Sequence, residues 1–192
     1  MIDNFDIIKA FIKEHNPVLE KGDFFFLQVV KRKKDNPEMT QHEFNIDNFY
    51  LNSFEDFDKK KERIVRSCEE NNARCLIRLE KRNYEKLCAK TIGLIADAQE
   101  KKQFHVLPTL FLSACGKFSS SKKKFWMVDV DDMSIFDEVK THLESITKIH
   151  TIIPSKSGCH IIITGFKPDL WKYDEKDKRV ELKADPITNI IC

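Results

Sequence analysis

The chain has 192 residues, 41% of them hydrophobic, enough for the core of one compact unit or of two closely packed parts. Lys and Arg (33) nearly balance Asp and Glu (31), so the net charge of +2 demands no polyanionic partner, and basic surface has to come from clusters such as Lys31-Arg32-Lys33-Lys34 and Lys122-Lys123-Lys124. The six cysteines form no C-x-x-C pair and no Cys/His zinc spacing, the N-terminus is acidic where a signal peptide is basic, and no apolar run approaches membrane-spanning length; reduced core thiols in a cytoplasmic protein with no membrane contact are expected.

Phe5, Ile8, Phe11 and Ile12 recur at helical spacing from Asp3 to Glu14, and Asn16-Pro17 ends that helix. Asp23 to Val30 reads as a strand. After the polar Asp35-Asn36-Pro37, a short strand over Asn48 to Leu51 leads to Ser53, an N-cap with Asp56 three residues on, and to a helix burying Phe57, Ile64, Val65 and Cys68. Ala73 to Leu79 alternates as a strand, and Asn83 opens a helix expected to bury Tyr84, Leu87, Cys88, Thr91 and Ile95. Cys115 to Lys124, rich in Ser and Lys, reads as a loop separating two parts, an N-terminal α/β module over 1–110 and a second subdomain over 111–192. Phe125 to Val130 is an apolar strand. Ser134 and Asp137 start a helix with Phe136, Val139, Leu143 and Ile146 on its stripe, and strands follow at Lys148 to Ile153 and Cys159 to Thr164. Only Pro154-Ser155-Lys156-Ser157-Gly158 joins that last pair, so it forms an antiparallel hairpin. The class is therefore mixed α+β, with a β-α-β-β core of the ferredoxin-like (RRM-like) kind.

Chemistry concentrates in this second part. In Val128-Asp129-Val130-Asp131 the carboxylates at i and i+2 leave the same face of a strand, so one hard cation, Mg²⁺ or Mn²⁺, can be held by both while keeping waters and substrate phosphates. Asp132 reads as the residue that turns the chain into the next helix. Ser155, Lys156, Ser157, Gly158 and His160 supply hydroxyls, an ammonium, close backbone approach and an imidazole, all able to bind phosphate. Taken alone, that segment is an ordinary hairpin turn followed by a packed histidine.

Together, a hydrophobic-Asp-hydrophobic-Asp strand and a Ser-x-x-His turn in one β-α-β-β unit resemble the archaeo-eukaryotic primase superfamily, the group of the primase-polymerases. The resemblance covers roughly residues 110–190. It implies that Asp129 and Asp131 bind catalytic metal, that His160 and the Ser155-Lys156-Ser157 turn touch phosphates of a nucleoside triphosphate, and that a third acid on a later strand completes the site. Asp185, ending Val180 to Ala184, is taken for that acid, with Glu181, Asp174 and Asp177 as competitors. The implied activity is metal-dependent nucleotidyl transfer on a DNA template, alongside other replication proteins. The chain departs from larger members in having no zinc-binding cysteine set, no P-loop and no evident extra helical domain, so nucleotide binding is expected ahead of de novo priming.

Arg74 and Arg78, with Lys122, Lys123 and Lys124, are candidates for tracking a nucleic-acid backbone, although each taken singly reads first as a solvated surface charge. Two other readings stay open: a catalytically silent nucleic-acid-binding module with a primase-like fold, and a phosphatase of the haloacid dehalogenase type, whose Asp-x-Asp strand normally lies near the N-terminus.

Overall fold

A computed structural model describes residues 1–119, 125–173 and 177–192. The architecture is mixed α+β, with five α-helices and two antiparallel sheets among the described residues. The first sheet runs β2 (Glu43–Leu51), β1 (Asp23–Arg32), β3 (Arg74–Arg78), β9 (Ile187–Ile191), with the short β4 (Arg82–Asn83) paired to the start of β1. The second runs β6 (Ile149–Pro154), β7 (Cys159–Thr164), β5 (Phe125–Val130), β8 (Val180–Lys183). In that second sheet β5 and β6 both pair antiparallel to β7 and are therefore parallel to each other, with α5 (Phe136–Ile146) crossing between them. This is the split β-α-β arrangement expected from the sequence.

Alternation along the strands explains the layers. In β1, Phe25, Leu27 and Val29 face a core shared with α1 (Phe5–His15) and α2 (Glu55–Asn71). Phe24 and Phe26 face the opposite way, onto α3 (Tyr84–Glu100) and α4 (Leu110–Lys117). In β5, Val128 and Val130 pack under Val139 and Leu143 of α5, while Phe125 and Met127 turn toward α1 and the first sheet. One core therefore joins both sheets. Asn4 fastens it, its side-chain amide donating to Pro154 O of β6 and Asn189 O of β9, each at 2.9 Å.

Several elements differ from the sequence reading. The expected loop from Cys115 begins only after α4, because Leu110, Ala114 and Cys115 are buried, the last two in one cluster with Phe24, Phe26 and Leu87. A boundary at residue 110 assigns α4 and β9 to the second part, whereas both pack with the first sheet: β9 pairs antiparallel with β3, Ile77 opposite Thr188. In α3, Leu87 and Ala98 are the buried positions, and Cys88 and Ile95 face solvent, since the helix presents a single face to α4 and the sheet. Cys68, Cys75, Cys115 and Cys159 are buried free thiols, as expected of core cysteines. Among the described residues, no helix is long and apolar enough to cross a membrane.

Candidate active site

The two sheets meet along a cleft of about 390 Å³, within the range of small-ligand pockets. Its floor belongs to the second sheet. Asp129 lies directly opposite His160 on β7 and directly opposite Glu181 on β8, so strand register alone brings an imidazole and two carboxylates into one row. Asp131 follows just beyond β5, where its N–H donates to Arg179 O (2.9 Å) and its carboxylate accepts from the Ser157 hydroxyl (3.2 Å). The opposite wall comes from the first sheet and its β1–β2 connection: Arg32, Lys34, Arg74, Leu76 and Asn189.

Gly158 fixes the hairpin against β5. A Cβ at that position would stand 1.8 Å from Val130 O, so only glycine lets the turn approach closely enough to bring Ser157 to Asp131. The turn closes on itself through Ser155 N–H to Gly158 O (2.9 Å) and Gly158 N–H to the Ser155 hydroxyl (3.1 Å). His160 is buried and oriented from behind, its Nδ1 2.7 Å from Thr188 Oγ1 of β9, which leaves Nε2 3.3 Å from Asp129 Oδ1.

No sequence pattern marks Lys183, yet its ammonium lies between the acids, 2.7 Å from Asp129 Oδ2 and 3.1 Å from Glu181 Oε2. Burial pushes the Asp129 carboxyl up, but the hydrogen bonds and charges of His160 and Lys183 reverse this and hold it well below the usual carboxylate range. Burial works against the Lys183 charge, and the bond to Asp129 nevertheless raises that ammonium above its ordinary value.

A second ion-pair cluster holds the basic wall. Asp35 receives both Arg74 Nε and Nη2 at 2.7 Å and Lys156 Nζ at 3.0 Å, with side-chain exposures of 8% for Asp35 and 11% for Arg74. The Arg74 bonds, opposed by burial and helped by Lys156, lower the Asp35 carboxyl to about 2. The bidentate contact locks the guanidinium plane at the edge of the cleft.

The expected site residues are therefore brought together selectively. Asp129, Asp131, Ser155, Ser157, His160 and Arg74 line the cleft. Lys156 does not; it is mostly exposed and committed to Asp35. Asp185, taken from the sequence as the third acid, is ion-paired with Arg78, and neither lines the cleft, because β8 ends at Lys183 and the chain has already turned toward β9. Glu181 holds the place in register with Asp129. Asp177 is committed to Arg179 (2.7 Å). Lys122, Lys123, Lys124 and the competitor Asp174 lie outside the described residues. Asp132 caps the following turn, its carboxylate accepting from Ser134 N–H at 2.9 Å.

The donor set suits a hard divalent cation, since Asp129, Asp131 and Glu181 offer oxygen only. Among the described residues, no three such side chains converge as they stand, and the ammonium of Lys183 pairs with both Asp129 and Glu181. Displacement of Lys183 is what would free these oxygens for Mg²⁺ or Mn²⁺.

Compared with protein-family models, with curated proteins and with solved structures, the chain matches none.

Proposed function

We propose that the cleft binds a nucleoside triphosphate with a divalent cation and that the chain is a nucleotidyltransferase resembling the primase-polymerases, adding nucleotides on a DNA template. The observation that supports this most is the gathering of both charges in one cleft: Asp129, Asp131 and Glu181 with Lys183 and His160 on the floor, Arg32 (paired with Glu43), Lys34 and Arg74 (paired with Asp35) on the facing wall, and Ser155 and Ser157 lining the same cleft. A triphosphate needs both surfaces, cations against its oxygens and acids to hold the metal that accompanies it. Asp129 and Asp131 would hold that cation, with Glu181 rather than Asp185 as the third acid. When bound, it supplies charge neutralisation on the phosphates and activation of the attacking hydroxyl. His160, oriented by Thr188, has Nε2 against Asp129 as the site stands, and would donate from it to a phosphate oxygen once that carboxylate is held by the cation. The Ser157 hydroxyl and the Arg74 guanidinium fix the tail from either side, and Asp35 keeps Arg74 from collapsing onto the acids.

Template-directed incorporation with Mg²⁺ or Mn²⁺, with and without a primer, tests this reading, and incorporation that survives Asp129→Ala overturns it. The ion pairs of Lys183 favour one alternative, a silent module in which the ammonium takes the place of the metal and the cleft only binds nucleic acid. Mn²⁺ titration separates the two. Binding lost in Asp129→Ala and Asp131→Ala supports the enzyme, and no Mn²⁺ binding by the unsubstituted chain supports the silent module.

A further inference from the structure

The outer face of α3 carries an exposed apolar strip beside its charges, where a surface helix is ordinarily polar. At about 100° per residue, Leu87, Leu94 and Ala98 turn toward α4 and the first sheet. The opposite face carries Ala89, Ile92 and Ala96 with Glu85 and Gln99 among them and Gly93 at its margin, all exposed, with Ile92 at 67% and Ile95 beside it at 42%. Exposed Phe104 and Leu107 follow the helix. Gly93 has no internal reason to be glycine: a Cβ there would meet nothing within 4 Å, and glycine is the poorest helix former after proline. A glycine that the chain's own packing does not require, beside an exposed apolar strip of a helix, permits a second backbone to approach.

The charges identify that second backbone. Lys86, Lys90, Asp97 and Glu100 run along one flank of this face, and Cys88, Ile92 and Ile95 along the other. When an identical helix is laid antiparallel across the face about a twofold axis at Gly93, Lys86 falls opposite Glu100 of the second copy and Lys90 falls near its Asp97. The two Ile92 side chains meet on the apolar flank. Each of the two ion pairs occurs twice and the Ile92 contact once, on the axis, as an isologous interface requires. Lys90 already lies over the Phe118 ring, 5.5 Å from its centroid, which sets it at the edge of the face. We propose that the chain forms a homodimer in which α3 packs antiparallel on α3 of a second copy about an axis at Gly93. No residue of α3 lines the cleft between the sheets, so the dimer leaves that cleft open and the inference does not depend on the nucleotide-binding reading.

Sedimentation velocity on the whole chain from about 1 to 100 µM, the span over which a dimer with Kd near 1 µM assembles, is the test. The unsubstituted chain is expected to sediment as a dimer. Gly93→Lys places two ammonium groups at the axis while improving helix propensity, and should yield a monomer with unchanged helical circular dichroism and a Tm that no longer depends on concentration. Lys86→Glu and Glu100→Lys should each weaken the dimer roughly tenfold through two reversed ion pairs, and the double substitution should restore it. A chain that sediments as a monomer throughout overturns the proposal. So does a dimer that Gly93→Lys leaves intact, or one that the double substitution fails to restore.

Discussion

Asp129 is engaged by both His160 and Lys183, so substituting it has separable consequences for activity and stability. Asp129→Asn should keep the fold, as read by circular dichroism, and lower nucleotide incorporation at least about a hundredfold, the scale on which preorganised charge contributes to a transition state. A smaller loss would mean that the reaction does not use this carboxylate. Lys183→Met should tighten Mn²⁺ binding about tenfold by removing the competing ammonium. Weaker binding in a metal titration would instead show that Lys183 supports the site. Asp35 makes a pH prediction. Its folded pKa of about 2 lies below the unfolded value, so the group contributes stability above pH ~4, and that contribution is lost as pH falls toward 2. It amounts to roughly 2 kcal/mol. Asp35→Asn should therefore lower Tm at pH 7 and flatten the acid limb of a Tm-against-pH curve between 4 and 2; an unchanged slope would assign the acid sensitivity elsewhere. Asp129, Asp131 and His160 are legible in the sequence because each sits on or beside an apolar strand of one local unit. Glu181 and Asp185 are not distinguishable there. Which of them faces Asp129 depends on the register of β8 against β5, a pairing across more than fifty residues that no local pattern encodes.

Among the elements, the β6–β7 hairpin is the most exactingly placed, because its turn touches the end of β5 through Gly158. Gly158→Ala requires the turn to withdraw from Val130 O. The cost should be about 3 kcal/mol, at the upper end of overpacking penalties. Ser157 moves away from Asp131, so nucleotide affinity should fall together with Tm. Retention of wild-type Tm and affinity would show that the turn tolerates the shift. Most elements of this part follow from apolar periodicity and turn residues: β5, α5, β6 and β7 all lie where the pattern puts them. The misread elements share a cause. In α4, Ser113 and Gly116 obscure a helix that is held by packing on Phe24 and Phe26, and in α3 a second apolar face makes exposed Ile95 indistinguishable from a core residue. Periodicity locates apolar faces without saying what covers them.

For the whole molecule, β9 decides how the parts cohere. It completes the first sheet beside β3, supplies Thr188 to His160 of the second sheet, and receives the Asn4 amide at the start of α1. Unfolding should therefore be a single transition. Trp126 and Trp171 both report on the second sheet and its covering segment, whereas circular dichroism reports on every helix, so coincident urea curves from the two probes are expected. Separated midpoints would show that the sheets unfold independently. The same strand sets an order of events during protein synthesis. Until Ile187–Ile191 leaves the ribosome, the edge of β3 that it covers is an unpaired strand edge inviting other chains, and His160 lacks its orienting hydroxyl. A nascent chain that already carries both aspartates thus still presents an open strand edge, one that a chaperone acting at the tunnel exit could cover.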